Sequence, residues 1–225
     1  MTAIRWGAVL IVFCSLVAVA QNKGKSNSAT TKPSFFGHNL LKNPGAAEEV
    51  EPGKVKDWPG ESVSTSTYGH TSGEWDWNVE GAPKGGCCYF RLAWDGEISQ
   101  KEMSQEVDLS PAAQEIDAGG VTATASAYLG SMVDSNTAGQ LSLTFLDAQG
   151  QTLSTLQADV VKPDSLPKPS VGSASMVSTQ TSGEVPKGAR KAVFKITSKT
   201  NAEPGGDYAA YADNLSLVLV EPKPH

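Results

Sequence analysis

Four tryptophans, Trp58, Trp75, Trp77 and Trp94, fall in a stretch of the chain rich in turn-forming and polar residues. An indole in such a setting suits one chemistry well. A sugar ring offers an apolar face of C–H bonds that stacks on an aromatic ring, while nearby polar side chains bond its hydroxyls. Trp94 leads Trp94-Asp95-Gly96-Glu97, an acidic glycine turn that holds an otherwise costly exposed indole. Tyr208 stands beside Asp207 in a second loop, residues 201–211. The expected ligand contacts are therefore Trp94, Asp95, Tyr208, Asp207, Trp75 and Trp77. The alternative for any of them is the core. Trp58, which follows a turn, is expected there, and one of Trp75 and Trp77 has the same option.

A hydrolytic chemistry also has a candidate. If Glu74 to Glu80 (Glu-Trp-Asp-Trp-Asn-Val-Glu) is one strand, Glu74, Asp76 and Glu80 share a face, as two carboxylates flanking a glycosidic bond require. The segment faintly resembles the E-x-D-x-x-E strand of laminarinase-like jelly-roll glycosidases. Its spacing is one residue too long, and its flanks do not match. An acidic outer face with tryptophan behind it explains the same letters, so a non-catalytic chain is the expectation. His38, His70 and His225 are too scattered for a zinc motif or a catalytic triad. No nucleophile elbow, phosphate loop or dinucleotide fingerprint occurs.

The first twenty residues read as an export signal. Arg5 precedes the apolar run Ala8 to Leu16, and Ala18-Val19-Ala20 fits the small-x-small cleavage pattern. That run is short for the ~30 Å of a bilayer core, and bulky Phe13 before Cys14 argues against a lipoprotein. Cleavage after Ala20 leaves 225 − 20 = 205 residues, enough for one well-buried domain. Losing Arg5 takes the formal charge from −6 to −6 − 1 = −7. A mildly acidic chain without a basic block is a poor partner for nucleic acid, and no later segment is suited to membrane insertion. Cys14 leaves with the leader, and the adjacent pair Cys87-Cys88 remains. An oxidising compartment permits a bond, but strand neighbours point to opposite faces. One buried and one outward thiol is the expectation, since a bond would need a strained peptide and a break in the strand; an unusual redox pair is the alternative.

These residues must be held by the elements around them. Residues 21–34 are polar and read as a flexible linker; the folded domain is expected over 35–221, with 222–225 a loose tail. Period-two alternation dominates. Val121, Ala123, Ala125, Ala127 and Leu129 alternate with polar residues, as do Leu141, Leu143 and Phe145. The same holds for Ala192, Phe194 and Ile196, and for Leu215, Leu217 and Leu219. Asp147 to Gly150 predicts a hairpin into Thr152 to Leu156, Pro111 to Asp117 one short helical turn, and Asp159 to Ser175 a long surface loop. Many strands with one apolar face each specify an all-β fold, a two-sheet antiparallel β-sandwich of jelly-roll type.

Two ends of this domain carry a recognisable pattern. His38 to Glu49 (His-Asn-Leu-Leu-Lys-Asn-Pro-Gly-Ala-Ala-Glu-Glu), followed by Asp57-Trp58, resembles the opening of galactose-binding-like β-sandwiches, which include many bacterial carbohydrate-binding modules. Tyr211 to Leu217 resembles their closing strand, and Gln105 to Leu109 with Ile116 to Gly119 their middle. The same order is similar to the F-box-associated sugar-recognition domain. The resemblance spans residues 38–220 and implies a non-catalytic, glycan-binding module, often with one structural calcium. Where the family places a Glu four residues after its Asn, this chain has Ala47, so Glu48 or Glu49 would substitute through a bulge.

A calcium site has its own argument. Asp213 shares the parity of Leu215, Leu217 and Leu219 and is expected to face inward at the mouth of the sandwich, where a carboxylate must be paired, hydrogen-bonded or metal-bound. Glu48, Glu49 and Asp213 are the expected ligands of a possible structural calcium. The alternative is that Asp213 accepts backbone N–H bonds from the first loop. The sequence thus points to a secreted, non-catalytic module recognising an extracellular glycan. An adhesion domain binding a cell-surface or matrix protein is the alternative.

Overall fold

The computed structural model describes residues 35–52, 54–59, 63–69, 71–72, 75–76, 79–80, 86–93, 100–132, 135, 137–168, 174–200 and 209–222. Three short strands open the chain: β1 (Glu49–Glu51), β2 (Lys54–Val55) and β3 (Val63–Thr67). Three more follow, β4 (Thr71–Ser72), β5 (Trp75–Asp76) and β6 (Val79–Glu80). The long strands are β7 (Cys88–Ala93), β8 (Gln100–Asp108), β9 (Thr122–Met132) and β10 (Thr137–Leu146). Then come β11 (Thr152–Gln157), β12 (Ala174–Glu184), β13 (Lys191–Thr200) and β14 (Ala209–Val220). A 3-10 turn at Ser110–Ala112 leads into one short helix, α1 (Ala113–Ala118), where a helical turn is expected. Among the described residues no helix is long and apolar enough to cross a membrane.

Two sheets carry the architecture. One runs β11-β10-β13-β8, the other β3-β7-β14-β9-β12-β6. Their long pairings are antiparallel, and one short parallel contact joins β6 to β12 at Val79 and Ala174. Alternation does the work foreseen for it. Ala123, Ala125, Ala127 and Leu129 meet Leu141, Leu143, Phe145, Phe194 and Ile196 in one core shared by both sheets. The hairpin from β10 to β11 turns where Asp147 Oδ1 accepts the N–H groups of Gln149 and Gln151, at 2.9 and 2.8 Å, with Gly150 at positive φ. The chain is a two-sheet antiparallel β-sandwich.

One expected loop is partly strand. Residues 159–175 hold a bridge from Val161 to Gly139 and a 3-10 turn at Pro163–Ser165. The 11-residue β12 then begins at Ala174. Its register puts Val177 opposite Leu129, while most of the strand is Ser, Thr and Gln. Its ladder therefore rests on backbone pairing with β9 and shows little hydrophobic alternation.

The opening loop is fastened by side-chain amides. Asn39 donates to the Leu215 carbonyl at 2.8 Å and accepts from Leu41 N and Leu217 N at 3.1 and 3.0 Å. Asn43, at positive φ, donates to the carbonyls of Glu48 and Lys56, both at 2.9 Å. From β8, Gln105 accepts the Lys42 N–H at 2.7 Å and donates to the carbonyls of Lys42 and Asp57 at 3.1 and 3.0 Å. Trp58 lies beneath, 1% exposed, edge-on to Phe90 of one sheet and Phe194 of the other. Its Nε1 donates to the Lys42 and Asn43 carbonyls. Trp58 is core, as expected.

Replacing a buried amide with an isosteric alkyl group strands the partners it satisfied. Gln105→Leu leaves the Lys42 N–H and the Asp57 carbonyl without this side chain. It is expected to lower the unfolding free energy by about 3 kcal/mol, read as a lower urea midpoint with unchanged slope.

Candidate functional site

The two outer faces of the sandwich differ sharply. On the four-stranded sheet, outward residues alternate with Met103, Gln105 and Val107 on β8 and with Phe194 and Ile196 on β13. They form a charged lattice: Lys191 pairs with Glu106 at 2.9 Å and Lys195 with Glu102 at 3.2 Å. Beside β8 a groove of about 530 Å³ is lined by Leu40, Lys42, Asp57, Pro59 and residues 104–108, with no aromatic ring among them.

The outer face of the six-stranded sheet is aromatic. Four of the chain's five tyrosines meet there. Tyr89 and Tyr211 are fully buried with Met176, Ala174 and Ala209; Tyr68 and Tyr128 pack against them half-buried. The register explains the gathering. One row across five strands reads Ser64, Arg91, Tyr211, Gly130, Met176, and beside it Tyr128 stands between Asp213 and Ser178. Tyr89 lies 4.8 Å from Tyr68 and 5.3 Å from Tyr211, ring centre to ring centre. Gly130 leaves a bare place in the row: a Cβ there would run into the Ser175 carbonyl and come within 2.8 Å of Met176 Cα.

Asp213 belongs to this face, which corrects the inward orientation expected for it. The β9–β14 register shifts between Asp213 and Ser216, and Asn214 takes positive φ. That bulge puts Ala212 and Leu215 in the main core and turns Asp213 outward beside Tyr211. Asp213 is still only 4% exposed. Its Oδ2 accepts the Tyr68 hydroxyl at 2.7 Å and its Oδ1 the Asn214 N–H at 2.6 Å. Burial pushes its carboxyl above the usual range, against the pull of those two hydrogen bonds. Burial, followed by the hydrogen bond and charge of Asp213, pushes the Tyr68 hydroxyl far above the usual tyrosine value, so Tyr68 remains the donor. Burial also raises Tyr89, opposed by Ser66 and Arg91. The Ser66 contact is not a hydrogen bond in geometry, and among the described residues the buried Tyr89 hydroxyl has no hydrogen-bond partner.

The expected calcium ligands do not come together. The Glu48 side chain is exposed and pairs with Lys56, and Glu49 is exposed on β1. Among the described residues no group of three or more His, Cys, Asp or Glu side chains could hold a metal ion. The oxygens of Asp213 are taken by Tyr68 and Asn214, a donor set that fits a hydrogen-bonded carboxylate and not a cation. The expected alternative, bonds from the first loop, is not seen among the described residues either; Gly45 of that loop lies near enough that a Cβ there would touch Asp213 Oδ1.

Of the expected ligand contacts, Trp94, Asp95, Asp207, Tyr208 and Trp77 lie outside the described residues, as do Glu74 and the leader and linker over 1–34. Trp75 opens β5, paired with Ser72. Trp94 follows Ala93 in the chain and Tyr208 precedes Ala209, and those two alanines pair across β7 and β14. The single acidic strand imagined for residues 74–80 is two strands in different sheets: β5 pairs with β4, and β6 with β12. Asp76 and Glu80 therefore share no strand face. The vicinal thiols are likewise corrected. Cys87 and Cys88 form a disulfide, possible because Cys87 lies outside the ladder that Cys88 opens.

No protein-family model matches the chain. No curated protein matches it either. Among solved structures it is similar to TmCBM61, solved in complex with β-1,4-galactotriose: 14% identity and a TM-score of 0.43 over 82% of this chain and 99% of that one. It is similar to the CBM22-1 xylan-binding domain from Paenibacillus barcinonensis Xyn10C, with 12% identity and a TM-score of 0.45 over 84% and 98%. It is also similar to the enzymatically active domain of bacteriophage CBA120 tailspike protein 4, with 15% identity and a TM-score of 0.48 over 81% of this chain. The match covers 21% of that protein, about a fifth of its length.

Two consequences can be measured. Asp213 holds its proton more tightly folded than unfolded, so the stability it contributes is full below its unfolded pKa and is lost as pH rises through the folded one. Asp213→Asn keeps an acceptor for Asn214 N–H and removes that loss. Urea melts from about pH 3 to about pH 7 are expected to show the variant gaining on the wild type as pH rises, with the gap smallest at the acid end. Tyr89→Phe deletes a buried hydroxyl without a partner and is expected to raise the unfolding free energy by about 1 kcal/mol in the same assay.

Proposed function

We propose that the chain is a secreted, non-catalytic glycan-binding domain whose ligand lies at the tyrosine face of the six-stranded sheet. The observation that supports this most is the asymmetry of the two outer faces. One sheet presents paired lysines and glutamates; the other carries four clustered tyrosines, Tyr68 and Tyr128 half-buried over the buried Tyr89 and Tyr211, with Arg91 and the buried Asp213 beside them. Aromatic rings interleaved with hydrogen-bonding groups suit a sugar, whose C–H face stacks while its hydroxyls need donors and acceptors. Export follows from the leader pattern over residues 1–20, and the partner would then be a polysaccharide outside the cytoplasm. Trp94 and Tyr208, chain neighbours of the paired Ala93 and Ala209, are proposed as further contacts.

The test is affinity electrophoresis of the full chain against a panel of soluble polysaccharides, followed by titration of those that retard it. Tyr128, on β9 between Asp213 and Ser178, is half-buried where Tyr89 and Tyr211 are fully buried, so its truncation does less harm to folding than theirs. Tyr128→Ala is expected to weaken binding roughly tenfold, about 1.4 kcal/mol of lost stacking, with little change in melting temperature. Binding equal to wild type in this variant would remove the tyrosine face from the reading.

A further inference from the structure

β11 ends its sheet with an open edge: among the described residues it pairs with β10 alone. The bond from the Ala158 N–H to the Leu141 carbonyl, at 3.0 Å, fixes which backbone groups that pairing uses. Bonded and non-bonded pairs alternate along an antiparallel ladder. In the register of β10 and β11, Leu156 and Ser154 therefore bond to Leu143 and Phe145. The N–H and carbonyl groups of Thr155 and Gln157 point off the sheet, and both residues are exposed. Open strand edges are commonly guarded by charge or proline. Residues 148–158 hold neither. The strand facing β11 across the core is β12, whose residues 178–183 are equally free of charge and lie beyond its pairing with β6. Between the two edges Leu156 packs against Gly183 and stays half-buried at the rim of the main core. The sandwich is open along this side.

We propose that a second copy of this chain docks here, adding β11 to β11 antiparallel about a two-fold axis at Leu156. Thr155 of one copy then pairs with Gln157 of the other through the outward backbone groups. Leu156 meets its own counterpart, so each half-buried leucine covers the open rim of the other core. In this register no charge along β11 opposes its like. The far edge of the same sheet does not offer this. A two-fold on Ser104 of β8 would set Glu102 against Glu106. A contact that joins the same patch on both copies closes at two. Its axis stands perpendicular to the sheet and turns both tyrosine faces to one side. A polysaccharide would then meet two sites at once; this last consequence alone rests on the glycan reading.

The test is sedimentation equilibrium of the full chain from about 1 μM to about 1 mM, where the mass is expected to rise from one chain to two. Thr155→Pro removes an outward N–H and leaves the bonds to β10 in place, and is expected to weaken association at least about tenfold. Thr155→Lys/Gln157→Lys sets like charges opposite one another across the axis and is expected to do the same. Thr155→Lys/Gln157→Glu sets opposite charges there and is expected to restore the dimer, a comparison that stands even if the proline variant does not fold. A wild type with the mass of one chain throughout, an assembly beyond two copies, or a dimer unchanged by Thr155→Lys/Gln157→Lys overturns the proposal. In titration with a polysaccharide retained in the panel, that variant is expected to bind severalfold more weakly than wild type, and equal binding removes the two-site presentation. A wild-type dimer that binds none of the polysaccharides overturns the glycan reading instead.

Discussion

Three side-chain amides hold this sandwich closed at its opening loop. The opening loop pairs its backbone with β14 only in places, at Gly37, Leu40 and Pro44, and each buried N–H or carbonyl left without a partner is costly. Asn39, Asn43 and Gln105 meet that need by bonding main chain on both sides of the loop, to β14, to the turn before Trp58 and to Lys42. With the loop fastened, Trp58 stays under it and touches Phe90 and Phe194, one from each sheet. The facing sheets are thus keyed to one another where the chain enters the fold.

With the interior occupied in this way, each sheet has one face left for other uses, and the two diverge. On the four-stranded sheet, long charged side chains pair with one another across β8 and β13, a surface at ease in water. On the six-stranded sheet a second apolar cluster forms outside the main core, and its polar atoms are few and deeply placed. Tyr68 and Asp213 settle one another, while the Tyr89 hydroxyl stays unmatched. A buried polar group kept without a partner is the kind of local cost that proteins carry at sites of use.

Much of the architecture is legible in the letters. Strands whose inward residues are Ala, Leu, Phe or Ile, such as β9, β10, β13 and β14, follow from alternation alone. The opening pattern with Asn39, Asn43, Trp58 and Gln105 turns out to name the loop clamp. What escaped follows from backbone events that leave little trace in composition. β12 is polar along most of its length and is held by its ladder. The bulge at Asn214 inverts the parity of Asp213 within a single residue, and an Asn before an apolar run is its only sign. Tyrosines at positions 68, 89, 128 and 211 cannot be seen to meet without the register of four separate segments.

Gly130 carries a consequence for how such a surface can change over time. The backbone of the neighbouring strand occupies the space any larger residue would need, at the Ser175 carbonyl and Met176 Cα. The floor between Tyr211 and Met176 is therefore frozen in shape, closed to mutation from below. Change in this surface has to come from its margins, beyond the last pairs of the ladder such as Ala93 with Ala209, where substitutions leave the pairing intact.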